Sequence, residues 1–380
     1  MEITRRDFIK TSFVLGGSVF FSHRFLYAAS QTKGPWYPAY GKLEQAGKLA
    51  ARVAEAYRIF EQCELCPRRC GVNRLKGEQG FCRAPAKCMV YGSHPHFGEE
   101  ISLTGRKGSG TIFFSNCNLR CVFCQNWPIA HMGHGHEVRD EDLAAMMLHL
   151  QEIGCHNINL VTPTHVMPNI LNATRMAFKK GLRLPLVYNT SGYEGLETLK
   201  MLDGVVDIYL PDMKFMDADH ARKYLGGASD YPDLAKQAIM EMHRQVGGHT
   251  VDSQGIAVRG LMIRHLVMPN RVAGTETFVQ WVAENLPRST YVNIMHQYRV
   301  AYRAFEYPKI WRRIDVDEYL EAMQWAAEQG LTNLDPRSMD MRDLYMEQEG
   351  KMGGLHRYLG DCQDMALFPW VQGVSIRSCN

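Results

Sequence analysis

The chain has 380 residues, of which 46% are hydrophobic and 22% charged, with a formal net charge of +3. This is the balance of a globular protein with room for one large core and a smaller appendage. No long basic run indicates nucleic acid, and beyond residue 30 no apolar stretch is long enough to span a bilayer.

Residues 1–30 read as a twin-arginine export signal. The pair Arg5-Arg6 and Phe8 precede the apolar run "TSFVLGGSVFFS" and the small residues of "YAAS". The expected location is therefore the periplasm or membrane surface, reached in a folded state; the alternative is a cytoplasmic protein whose first helix carries two arginines. Residues 31–100 begin with a Gly/Pro/Tyr-rich linker and a helix over "EQAGKLAARVAEAYRIFEQ", followed by a loop-rich, cysteine-rich stretch.

Residues 101–330 alternate regularly. "TIFFSN" is followed by the helix "DEDLAAMMLHLQEIG", with Asp140 as the expected N-cap. "NINLVT", "LPLVYNT", "VVDIYLPDMK", "LMIRHLVMP" and "STYVNIMHQY" then read as strands, each followed by a helical segment. Strand followed by helix, six times over, predicts a parallel sheet with right-handed crossovers. Six units suit an open barrel or a doubly wound sheet. Residues 331–380 form a polar, methionine-rich tail to which the sequence assigns no role.

Eleven cysteines are unevenly placed. Cys117, Cys121 and Cys124 follow a C-x3-C-x2-C spacing directly after the first strand. Three thiolates suit a zinc with an open position, or an iron–sulfur cluster with one iron left free. Upstream, Cys63, Cys66, Cys70 and Cys82 give C-x2-C-x3-C-x11-C, a set of four that suits a closed structural zinc or a second cluster; Cys88 is a spare. Sites in parallel α/β folds collect at the carboxyl ends of the strands. Those ends present Thr162, Thr164 and His165, then Asn189, Thr190 and Ser191, then Asp212 and Lys214, then His296 and Gln297; the fifth, "MPN", offers no obvious ligand.

The cysteine motif in its strand context resembles the radical S-adenosylmethionine (SAM) superfamily. The phrases "HFGEE", "GSGTIFFSNCNLRCVFCQN", "VYNTSGYE", "DIYLPDMK" and "RHLVMPN" are similar to the pyruvate formate-lyase activating enzyme-like group within it. The resemblance implies an α/β fold with a partial (β/α)6 barrel behind an N-terminal cysteine-rich segment. It implies a [4Fe–4S] cluster on Cys117, Cys121 and Cys124 whose fourth iron takes the methionine end of SAM. Asn189, Thr190, Ser191, Asp212, Lys214 and His296 stand at the family's SAM-contact positions. Thr162 or Thr164 stands where the family has a Gly-Gly-Glu segment.

The implied reaction is reductive cleavage of SAM to a 5′-deoxyadenosyl radical that abstracts hydrogen from a substrate. That substrate would by analogy be a glycine of a partner protein. The implied partners are a flavodoxin- or ferredoxin-like electron donor and such a protein substrate. A reading from another class is an exported, non-catalytic iron–sulfur electron carrier, which needs no adenosine site.

Overall fold

A computed structural model describes residues 30–31 and 36–340. Residues 1–29 of the segment expected to be an export signal, and most of the tail, with Cys362 and Cys379, lie outside the described residues.

Six parallel strands form the centre: β1 (Ser109–Phe114), β2 (Ile158–Val161), β3 (Leu186–Thr190), β4 (Ile208–Pro211), β5 (Ala257–Leu266) and β6 (Tyr291–Met295). Each pairs in parallel with the next in chain order. Among the described residues no pairing joins β6 back to β1. The expected open (β/α)6 barrel is therefore present, and the doubly wound alternative is not.

Helices α1 (Asp140–Glu152), α2 (Met167–Lys179), α3 (Leu196–Met201), α4 (Tyr231–Val246) and α5 (Thr275–Asn285) make the crossovers, and α6 (Val316–Glu328) follows β6. Outside β1 the antiparallel strand Cys88–His96 extends the sheet and itself pairs with His136–Val138. On the free side of β6, Leu334 bridges Val292, and the Ile294 N–H donates to Ser338 Oγ at 2.9 Å. Residues from 331 thus cover that edge.

Two local expectations are corrected. Asp140 is the first residue of α1 and not its cap. Arg139 takes the cap position, and its N–H donates to Asp142 at 3.2 Å. The Asp140 carboxylate instead accepts from Tyr57, from Asn169 at 3.0 Å and from Asn172 at 2.6 Å, fastening α2 and the N-terminal helix to α1. The long helix expected before Cys63 is two helices, Ala39–Gln45 and Leu49–Arg58. Between them Gly47 sits at φ +71°, a conformation that side chains with a Cβ disfavour.

Apolar side chains pack in two separate places. The larger core lies between the sheet and its helices. The smaller one fills the barrel itself with Leu103, Val187, Ile208, Leu210, Ala257, Met262 and Tyr291. Side chains alternate along a strand, so the next inward positions towards the carboxyl ends lie two residues on. From Val187, Leu210, Met262 and Tyr291 these are Asn189, Asp212, Arg264 and Asn293. An apolar floor thus lies beneath a polar layer.

Candidate functional site

Beyond Phe114 the chain leaves β1 through two left-handed residues, Asn116 at φ +75° and Arg120 at φ +59°. The loop they shape carries Cys117, Cys121 and Cys124, of which Cys121 is the most buried. Its backbone is held from outside. Arg68 donates from Nε to the Asn118 carbonyl at 3.1 Å and from Nη2 to the Leu225 carbonyl at 3.1 Å. The Leu119 N–H points at Cys117 Sγ, 3.5 Å away.

Burial pushes the Cys121 thiol far above its ordinary range and that of Cys124 up to about 12; neighbouring thiols add to both shifts. Buried thiols such as those of Cys121 and Cys124, which share their loop with Cys117, become thiolates readily only when a cationic centre takes them. That donor set fits an iron–sulfur cluster.

Inward of this loop lies a connected charged layer centred on Arg264. Its guanidinium donates to Asp212 at 2.9 Å, to Glu99 at 3.2 Å and to Asn189. Asp212 also accepts from Lys214 Nζ at 2.7 Å. Burial alone would raise the Asp212 pKa, but Arg264 and Lys214 outweigh it and hold the carboxyl below its ordinary value. Glu99 behaves oppositely: burial lifts it to about 7 even against the attraction of Arg264. Asn189 Nδ2 donates to Glu99 at 3.3 Å, and Asn293 donates to Glu100 at 2.9 Å. Ser191 is buried with its Oγ unpartnered, an unmet hydrogen-bonding group of the kind a polar cofactor satisfies.

The structure brings Asn189, Ser191, Asp212 and Lys214 to the same end of the barrel as the cysteine loop. Thr190 and Thr164 turn away to a different partner. Both hydroxyls donate to Glu194, Thr164 at 2.5 Å, and Tyr188 donates to the same carboxyl at 3.3 Å. Thr164 has no exposed surface, whereas Thr162 is half-buried. His296 lies just past β6 and is half-buried; its Nε2 meets the Asp340 carbonyl at 3.0 Å and its ring stands edge-on to Tyr319.

Four functional candidates were not expected from the sequence: Arg264, Glu99, Glu100 and Glu194. Arg264 shows that the fifth strand, read as offering no ligand, supplies the hub of the layer. Its signal was a lone arginine at an inward position of an apolar strand. Glu99 and Glu100 lie in "HFGEE", between two strands, where nothing local reveals that they point into the barrel.

The upstream cysteines come together elsewhere. Cys63, Cys66, Cys70 and Cys82 line one cavity, together with Arg68, Arg74 and His165. The two cysteine groups share a neighbour. Against the burial that raises the Cys66 pKa, Asn118 favours ionisation of that thiol, and its Oδ1 lies 3.9 Å from Cys117 Sγ.

Residues 111–260 match the family model described as the radical SAM superfamily. An uncharacterized protein of Methanocaldococcus jannaschii is 34% identical over 294 residues, covering 74% of this chain and 79% of its own length. Among solved structures, a radical SAM methyltransferase from Sphaerobacter thermophilus aligns at 13% identity and a TM-score of 0.45, over 77% of this chain and 90% of that one. The radical SAM methyltransferase TsrM from Kitasatospora setae aligns at 14% identity and a TM-score of 0.39. That match covers 53% of this chain and only 39% of TsrM.

Proposed function

The chain belongs to the radical SAM superfamily, and on that premise we propose that it cleaves SAM reductively on a cluster held by Cys117, Cys121 and Cys124. The family implies a [4Fe–4S] cluster and SAM, and the enzyme is a radical SAM enzyme. When bound, the pair supplies the one-electron cleavage that yields methionine and a 5′-deoxyadenosyl radical.

The chain's own contribution is binding, orientation and exclusion of water. Lys214, held by Asp212, presents a charge near the cysteine loop suited to the methionine carboxylate. Ser191 Oγ and the Asn189 amide offer hydrogen bonds, and His296 stands at the rim. The apolar floor closes the barrel below the reacting centre. The observation that carries this reading is three thiols on one loop, Cys121 buried and Cys117 and Cys124 part-buried, beside a polar layer whose Ser191 hydroxyl lacks a partner. The upstream cysteines are proposed to hold a second metal centre.

A polypeptide substrate, as in the activating enzymes, is the finer reading. Apolar side chains stand exposed beside the cysteine loop: Trp127 and Met132 follow Cys124, and Trp127 stacks on Tyr302, next to exposed Phe305. Such a surface suits a macromolecular partner. A flavodoxin- or ferredoxin-like protein would deliver the electron.

The test is anaerobic cluster reconstitution, a strong reductant and SAM. Formation of 5′-deoxyadenosine, abolished in Cys124→Ala, is expected. A protein that holds four irons here yet shows no change in its reduced EPR spectrum on adding SAM would overturn the reading and leave the electron carrier. Transfer of a stable radical to a polypeptide would establish the activating role.

A further inference from the structure

The cavity lined by the upstream cysteines constrains its occupant through spacing, charge and hydrogen bonding. Spacing separates one ion from several. Four thiolates on a zinc must all come within about 2.3 Å of one point. Here the four thiols are spread around a cavity wall. Among the described residues, no three Cys, His, Asp or Glu side chains gather closely enough for a single ion. A cubane cluster needs the spread arrangement, because each thiolate binds a different iron at its own corner.

Charge comes from Arg74, which lines the same cavity and is 3% exposed. One amino group donates to the His165 carbonyl at 2.7 Å, the other to the Pro85 carbonyl, and the guanidinium lies over the Phe60 ring. Its Nε has no hydrogen-bond partner, and among the described residues no carboxylate pairs with it. A buried guanidinium without an anion is strongly unfavourable. Four neutral thiols leave it uncompensated, and a metal–thiolate centre of net negative charge completes it. Nor does the rest of the wall supply an anion: Arg68 adds a second positive charge, and His165 is neutral or positive in either protonation state.

The wall is also shaped around sulfur. The Phe81 N–H donates to Cys70 Sγ at 3.3 Å, and a Cβ at Gly80 would lie 2.8 Å from that sulfur. Only glycine permits this approach.

From these features we infer that Cys63, Cys66, Cys70 and Cys82 hold a second cluster of four irons, with Arg74 as its buried counter-charge. The inference rests on the reading of these cysteines as a metal centre. It is independent of whether the chain cleaves SAM.

The experiment uses protein isolated and reconstituted without oxygen, analysed for iron, sulfide and zinc and by Mössbauer spectroscopy. The full chain should carry about eight irons, and a Cys117/Cys121/Cys124→Ala variant about four irons with matching sulfide. Four irons plus one zinc in the full chain, or zinc without sulfide in the variant, overturns the inference, and so does a variant without metal.

Arg74 is tested by redox potential in the same background. Arg74→Met removes a cation beside the cluster and should lower its midpoint potential, while Arg74→Lys keeps the charge and should stay near the parent. Equal potentials in all three refute the counter-charge role. If Arg74→Met does not fold, a Lys variant whose potential is insensitive to deprotonation at high pH refutes it equally. Loss of SAM cleavage leaves each of these readouts untouched, so failure of the two readings can be told apart.

Discussion

Thr164 and Glu194 meet in a buried hydrogen bond of 2.5 Å, joining the loop after β2 to the loop after β3. Glu194 collects two further hydroxyls, from Thr190 and Tyr188, and is 1% exposed. The pair ties neighbouring strand ends together beneath the cofactor face. It also commits the Thr164 proton, which leaves Thr162 as the freer threonine of "VTPTH".

The pH dependence of stability follows from that pair. Burial lifts the Glu194 carboxyl from 4.5 to about 7 despite three hydroxyl donors. The folded chain therefore retains a proton that the unfolded chain loses near pH 4.5. This stabilisation is full below the unfolded value and is lost as pH rises through 7. Four buried histidines, His131, His165, His249 and His265, are depressed to about 4 and act in the opposite sense. The difference between wild type and Glu194→Gln isolates the carboxyl. In denaturant titrations, wild type should lose on the order of 2–3 kcal/mol relative to the variant between pH 5 and 7. A difference that stays flat over that range contradicts the assignment.

Arg264 should be the most costly single truncation in the barrel. Its side chain is 16% exposed and serves Asp212, Glu99 and Asn189 at once. Arg264→Met leaves two buried carboxylates facing each other, a loss of about 3–5 kcal/mol. Arg264→Lys keeps the charge but not the fork, so a smaller loss is expected. Urea midpoints of the apoprotein measure both; near-equal midpoints for wild type and Met would show that the network carries little stability.

How much of this was legible in the sequence depends on range. The strands announced themselves because most of their residues are buried on both faces, which writes apolar runs such as "IYLP" or "GLMI". The cysteine motif was legible because its ligands are local. Arg264 was hidden because its partners Glu99 and Asp212 lie 165 and 52 positions away. Glu194 was hidden because its role depends on a threonine from another loop. Asp140 was misread because a cap and a first-turn acid look alike until the chain's approach to the helix is seen.

Cofactor affinity should respond to Lys214 and His296 separately from cluster content. Lys214→Ala and His296→Ala are expected to retain the cluster absorbance while weakening SAM binding. Each loses one charge-assisted or polar contact, on the order of a tenfold to hundredfold change. Titration of the reduced EPR signal with SAM reads this directly; bleaching of the cluster in Lys214→Ala would instead make the lysine part of cluster retention.

Export is expected to depend on the arginine pair. Replacing Arg5 and Arg6 by lysine should trap the protein in the cytoplasm, because the twin-arginine route carries folded, cofactor-loaded cargo and reads that pair. Fractionation with detection of the N-terminus decides it. Wild-type protein found in the cytoplasm with Met1 in place would identify the segment as a helical leader.

Among the described residues, the plug formed by Leu103, Val187, Ile208, Leu210, Met262 and Tyr291 fills the barrel beneath the polar layer, so that layer is approached from the carboxyl ends of the strands. A cofactor admitted at that end leaves past the same cysteine loop and strand ends. Arrival of a fresh cofactor and escape of spent fragments therefore compete for one passage. Turnover becomes a matter of traffic: a bulky substrate seated at the doorway would hold the fragments inside until it leaves.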